Sequence, residues 1–237
     1  MPTTGTPSGT ATRRRALLGG VVALVVLAVL GLPLLLRSAP DGAPPPAADP
    51  QAQARLDVPR RDAGDPLALG RPDAPVVMAE WGDFQCPFCR LYATTTEPEL
   101  IRRYVDAGLV RIEWHDFAYL GPESVLAARA ARAAGAQGRF WDFHTALYRD
   151  QPPENRGDVT DASLEAVAGR LGLDVDRFRR DYADPRTEQA VRADQALGAR
   201  LGVGGVPSFV VGDRLIFGAQ PLPTFTAALD DALARAR

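Results

Sequence analysis

The stretch Glu80-Trp81-Gly82-Asp83-Phe84-Gln85-Cys86-Pro87-Phe88-Cys89 holds the only two cysteines of the 237-residue chain. They follow the short apolar run Val76-Val77-Met78-Ala79, itself preceded by the turn residues Pro72, Asp73 and Pro75. A run of that kind suits a central strand buried on both faces. From Pro87 the apolar positions Leu91, Tyr92, Leu100, Ile101 and Tyr104 predict a helix. Pro98 should kink or restart that helix, and Gly108 should end it. The pair thus sits where a strand hands over to a helix. Two cysteines at this spacing can be a redox couple, half of a metal site, or a structural staple.

Working outward, Leu109-Val110-Arg111-Ile112-Glu113-Trp114 alternates, which predicts a strand with Val110, Ile112 and Trp114 on one face and Arg111 and Glu113 on a polar one. Gly121-Pro122-Glu123 opens an Ala-rich helix to about Gly135, with proline at a favourable first position. Phe140, His144, Leu147 and Tyr148 share one helical face, and Leu164, Val167, Ala168 and Leu171 share another. Val175, Phe178 and Tyr182 begin a further helix, and one more runs from about Arg186 to Leu201. The pattern then returns to period two. Phe209-Val210-Val211 and Leu215-Ile216-Phe217 flank Gly212-Asp213-Arg214 as a β-hairpin, and Pro223 opens a last helix through Phe225, Leu229 and Leu233. Strand, helix, strand, helical block, hairpin and helix make an α/β thioredoxin fold with an inserted helical subdomain at about 121–190, inside a folded domain over 63–237.

The N-terminus carries a separate signal. Ala16 to Leu36 is 21 residues without a charge, behind Arg13, Arg14 and Arg15. As a helix it would span roughly 31 Å, the thickness of a bilayer's hydrocarbon core. The positive flank predicts a cytoplasmic tail (1–15), a single transmembrane anchor (16–36) and the rest of the chain, with its folded domain, outside the membrane. The alternative is a cleaved signal peptide and a secreted protein, although the apolar core of such a peptide is usually shorter. Thr12-Arg13-Arg14 also approaches a twin-arginine signal, weakly continued by Ala16 and Leu17. Residues 37–62, with Pro44-Pro45-Pro46 at their centre, read as an extended linker. Every basic residue is arginine, and the chain beyond residue 37 sets 23 of them against 29 acids. That acidic balance, with no basic stripe in the sequence, argues against nucleic acid as a partner.

The metal and staple readings of the cysteines are weak. Zinc needs four ligands, and only His115 and His144 accompany the two cysteines, at no common finger spacing. They read as surface or satisfied core histidines, so no metal is expected. A staple across two residues closes too small a loop to remove much unfolded-state entropy. The redox reading has specific physics. At a helix start, free N–H groups and the positive end of the dipole favour a Cys86 thiolate, the species that attacks in disulfide exchange. Pro87 suits the first turn, and Cys89, one turn further in and shielded, is the resolving thiol. Burial of Glu80 should raise its pKa and let it exchange a proton with Cys89 through water. The alternative has Glu80 facing solvent from a strand end.

Glu80 with Cys86-Pro87-Phe88-Cys89, followed by Gly204-Gly205-Val206-Pro207-Ser208-Phe209, resembles the DsbA family of extracytoplasmic thiol–disulfide oxidoreductases, in its membrane-anchored bacterial branch. Gly138-Arg139-Phe140-Trp141-Asp142-Phe143-His144 with Leu147-Tyr148 resembles that family's helical insert, and the likeness runs from about Pro66 to the C-terminus. It implies a cis Val206–Pro207 bond beside the disulfide, with the Val206 backbone free to pair with a substrate strand. Phe88 departs from the best-known member, which has histidine there. Phenylalanine offers the sulfur no donor, so a Cys86 pKa between about 3.5, as in that member, and about 7, as in thioredoxin, is expected.

The resemblance implies a dithiol oxidase that passes the Cys86–Cys89 disulfide to reduced or unfolded exported proteins, without any other cofactor. Compartment supports it, because disulfides form outside the cytoplasm. A membrane partner of the DsbB or vitamin-K-epoxide-reductase-like kind would reoxidise the pair. A reductase or isomerase on the same fold is the alternative, and a non-catalytic binding or metal-handling module is a third reading. No segment reads as a dimerisation module, so a monomer is expected.

Overall fold

The computed structural model describes residues 58–236. The expected tail, anchor and most of the linker lie outside that range. Among the described residues no helix is long and apolar enough to cross a membrane.

A five-stranded mixed sheet has the order β1-β3-β2-β4-β5. Its members are β1 (Ala68–Leu69), β2 (Val76–Gly82), β3 (Val110–Asp116), β4 (Ser208–Val211) and β5 (Arg214–Phe217). β2 and β3 run parallel, with Glu80 opposite Trp114, while β4 lies antiparallel on the other side of β2 with Phe209 opposite Glu80. All seven residues of β2 are buried, as its continuous apolar run requires.

α1 (Pro87–Thr95) stops at Thr96 and restarts as α2 (Glu97–Leu100), where Pro98 occupies the first turn. A π-helical turn over Ile101–Val105 completes it. Both pieces, with the C-terminal α8 (Leu222–Arg235), cover one face of the sheet: Tyr92, Leu100, Phe225 and Leu229 pack on Met78, Ile112 and Phe209. The helical insert comprises α3 (Pro122–Gly135), α4 (Phe140–Arg149), α5 (Asp161–Arg170) and α6 (Val175–Ala183), and α7 (Pro185–Arg200) follows it. α7 is the helix expected from about Arg186 to Leu201. α7 lies against the opposite face of the sheet, so closely that a Cβ on Gly198 would stand 2.7 Å from the Trp81 ring.

The polar face expected for β3 is not at the surface. Arg111, Glu113, His115 and Asp116 are all buried. Their cover comes from segments distant in sequence. The backbone N–H groups of Arg60 and Arg61 donate to the Glu113 carboxylate at 2.7 and 2.9 Å, and Arg111 donates to it from the same strand. On α7, Asp194 meets His115 and accepts the Asp116 backbone N–H, while Arg132 of α3 bridges Asp116 and Asp194. Each charge is buried together with a partner, which is how a polar strand face can enter a core.

Candidate active site

The site forms at the carboxyl end of β2. A Cβ on Gly82 would lie 2.2 Å from the Trp114 ring, so only glycine lets that ring cross the strand end. The chain then turns through Asp83-Phe84-Gln85. The buried Asp83 carboxylate accepts the backbone N–H groups of Gln85, Tyr119 and Leu120 at 2.9–3.1 Å, and the Tyr148 hydroxyl donates to the Asp83 carbonyl. Gln85 reaches Ser124 and the Asn155 backbone, and Gln151 donates to the carbonyls of Phe84 and Cys86. The turn that presents the cysteines is therefore held by the insert.

Cys86 is the N-cap of α1, in extended conformation, and its sulfur accepts the Cys89 backbone N–H at 3.4 Å. Pro87 fills the first helical position. The Cys86 thiol faces the Val206 carbonyl at 3.6 Å, and the Val206–Pro207 bond is cis. The strand handover, the helix start and the loop before β4 are thus brought together across 120 residues. The Cys86 pKa is lowered to about 7, chiefly by a hydrogen bond with the Cys89 thiol, then by the backbone N–H groups of Cys89 and Phe88, against the cost of burial. It falls at the thioredoxin end of the expected range. Burial, reinforced by the hydrogen bond and charge of Cys86, pushes Cys89 well up. One sulfur is readied as nucleophile and the other stays a thiol.

Phe88 is 63% exposed and contributes only its backbone N–H to the sulfur. Phe88→His should therefore lower the Cys86 pKa below about 7, by roughly one unit, since an imidazolium beside a thiolate favours the charged form. Thiolate absorbance against pH checks this, and an unchanged or higher value in the variant would contradict it.

Glu80 does not face solvent: it is 1% exposed, and burial raises its pKa well above the carboxylate range, helped by the charge of Glu97. Its own charge raises Cys89 in turn. His144 is buried as expected of a core histidine, but it is not satisfied, since neither ring nitrogen has a hydrogen-bond partner among the described residues. His115 is buried rather than at the surface. Ligand atoms of Glu80, Glu97 and His144 lie within 4.8 Å of one another, the one group of three among the described residues with the donor types a metal ion would use. Sequence reasoning missed Asp83, Gln85, Gln151 and Glu97. The Asp83–Gln85 turn lay inside the cysteine stretch, but Glu97 carried no signal beyond standing before Pro98.

A thioredoxin family model matches residues 62–231. The probable disulfide bond formation protein D of Bacillus anthracis is 34% identical over 152 residues, covering 62% of this chain and 70% of that protein. A Na(+)/H(+) antiporter NhaA 1 of Salinispora arenicola is 38% identical over 172 residues, 71% of this chain and only 25% of that one. Among solved structures, oxidised BdbD from Bacillus subtilis superposes with a TM-score of 0.67 at 25% identity, covering 72% of this chain and 94% of that one. The chain belongs to the DsbA-like family of the thioredoxin superfamily. It is a thiol–disulfide oxidoreductase with a helical insert.

Proposed function

We propose that the chain is an extracytoplasmic dithiol oxidase, with Cys86 as attacking and leaving thiolate, Cys89 as resolving thiol, and Glu80 as proton donor and acceptor for Cys89. The observation that carries this reading is the asymmetry of the two sulfurs, one lowered to about 7 at a helix start and the other pushed well up by burial. A stabilised Cys86 thiolate favours the reduced protein and hence transfer of its disulfide outward. A reduced substrate thiolate attacks Cys86, the Cys86–Cys89 bond breaks, and Cys89 leaves and is protonated. A second substrate thiolate then attacks the mixed disulfide and releases Cys86. Val206, backed by Pro207, offers its backbone to a substrate strand. Exposed Phe88, Tyr119 and Phe217 give that strand apolar ground, with Phe217 and Tyr119 both against Gly205. Such a surface suits unfolded chains.

The protein would act as a monomer with no cofactor beyond the cysteine pair. Residues 16–36 would anchor it to the membrane beside a reoxidase of the DsbB or vitamin-K-epoxide-reductase-like kind, raising the effective concentration of each for the other. A reductase or isomerase role is favoured by one observation, the thioredoxin-like Cys86 value of about 7. Equilibration with glutathione separates the readings. An oxidase should lie above thioredoxin's potential of about −270 mV by several tens of mV. It should also oxidise reduced ribonuclease faster than it reduces insulin. A potential at or below thioredoxin's, with the opposite preference, would make the protein a reductase.

A further inference from the structure

Glu80 on β2, Glu97 opening α2 and His144 in the middle of α4 meet under α1, and all three are buried. Glu80 Oε2, Glu97 Oε1 and both ring nitrogens of His144 lack a hydrogen-bond partner among the described residues. So do two further buried groups in the same region, the Tyr92 hydroxyl and the Trp141 indole N–H. Buried polar groups are nearly always partnered by protein, water or an ion, so orphans from four elements in one place point to a shared occupant.

Spacing decides which occupant. Three ligands on a tetrahedral zinc, with bonds of about 2.0–2.2 Å, stand only ~3.4 Å apart. Three groups hydrogen-bonded to one water, with legs of about 2.7–2.8 Å, stand ~4.5 Å apart. The closest contact of His144 with Glu97 is 3.9 Å, and the ligand atoms of all three residues lie within 4.8 Å of one another. The measured contact is wider than the edge of a zinc tetrahedron, and a hydrogen-bonded water accommodates it. No arginine faces either carboxyl among the described residues. The groups facing Glu80 are Glu97 from α2, His144 from α4, Tyr92 and Cys89 from α1, and Tyr148 from α4.

We propose that Glu80, Glu97 and His144 hold one buried water beneath Cys89, and that Glu97 is the proton reserve that recharges Glu80 through it during disulfide exchange. Burial raises both carboxyls, Glu97 to about 8, and lowers His144 to about 3, so the site keeps a proton at neutral pH while the imidazole stays neutral. When Cys89 leaves as thiolate, Glu80 gives it a proton. The water passes one on from Glu97, which is left as the carboxylate, with neutral His144 orienting the water. On reoxidation Cys89 loses its proton and the transfers reverse. Electrons move only between sulfurs. Cys89, Glu80 and the water touch the reacting proton, whereas Glu97 and His144 act through the water as positioning residues. The proposal rests on exchange at Cys86–Cys89 but holds in either redox direction.

The test is single-turnover reduction of the disulfide in the full chain by a dithiol peptide, across pH and corrected for ionisation of the peptide. Glu97→Gln keeps volume and hydrogen-bonding capacity but removes both the reserve and the charge that raises Glu80. The alkaline fall in rate should move down by roughly one pH unit, an about tenfold loss above pH 8 with a smaller loss below pH 6. An unshifted profile in the folded variant would overturn the proposal. Should that variant not fold, the native chain provides a second readout. Its reduced-minus-oxidised infrared difference spectrum should contain a protonated-carboxyl band, and absence of that band overturns the proposal. Stoichiometric zinc in the purified protein would overturn it as well. A chain that exchanges no disulfide at all would instead sink the functional reading.

Discussion

Cys86→Ser is expected to remove all measurable disulfide exchange. Cys89→Ala, given a disulfide-bonded substrate, should instead attack that disulfide, release one substrate thiolate and hold the other sulfur as a Cys86 mixed disulfide that it cannot resolve. Both cysteines are buried, at 4% and 1% exposure, but they differ in hydrogen-bond partners and in the direction of their pKa shifts. Cys86 caps α1, accepts the Cys89 N–H and has a pKa of about 7, so a large share of it is thiolate at neutral pH. A serine hydroxyl in the same hydrogen bond remains un-ionised, and its oxygen cannot form the mixed disulfide. Cys89 is 1% exposed, and burial first and Cys86 second hold it as a thiol. Removing it leaves Cys86 in place but takes away both the proposed resolving sulfur and the thiol hydrogen bond that most lowers the Cys86 pKa. Cys86 then keeps only its backbone N–H donors and captures more slowly at neutral pH. Non-reducing electrophoresis and intact mass would show the Cys86–substrate adduct accumulating in Cys89→Ala. Exchange persisting in Cys86→Ser would place the nucleophile elsewhere, and a cellular function surviving it would favour a binding role.

Arg132→Met should lower stability by about 3 kcal/mol, a fall in Tm of roughly 6–12 °C for a domain of this size. Arg132 donates to Asp116 and Asp194, and Asp194 also meets His115. Methionine keeps much of the volume but strands two carboxylates, of which Asp116 is 1% exposed. The figure is set at the low end for breaking a buried pair because the Arg132 and Asp194 side chains keep 17% and 14% of their exposure. Burial already raises Asp116 against the pull of Arg132, and losing the arginine raises it further. A carboxyl whose folded pKa exceeds its unfolded one binds its proton more tightly when folded, so stability falls as pH rises through that interval. The deficit of the variant should therefore be largest at neutral pH and shrink toward pH 4. Thermal melts across that range measure it, and a deficit independent of pH would mean the loss is one of packing alone.

The parts of the fold legible in the sequence are those written in local periodicity or turn chemistry. The Val76–Ala79 run gave the central strand, Pro98 the break between α1 and α2, and Gly212-Asp213 the hairpin. The cysteine pair, Glu80 and the Val206–Pro207 loop were legible as a motif, and they meet in space. What escaped depends on contacts between distant segments. The alternation of β3 suggested a solvated face because nothing in it reveals that residues 58–62 and α7 would cover Arg111, Glu113 and His115. Glu97 and His144 stand 47 positions apart, and only the fold of α4 beneath α1 brings them to Glu80. Gln151 and Asn155 sit in a loop whose composition carries no pattern, although they hold the turn before Cys86.

The grip of Glu113 on the backbone of Arg60 and Arg61 changes where the folded unit begins. By composition the tether runs to residue 62, yet its last residues supply two of the donors that keep a wholly buried carboxylate satisfied. The boundary between leash and enzyme is therefore chemical. Cutting the chain at Ala63 would remove Val58 from the edge of the core but no part of the redox centre, and it would leave an anion in β3 facing two missing N–H groups. A free-standing catalytic fragment has to start before Arg60. Removing those two donors would unbalance a buried charge in the strand beside the one that bears Glu80.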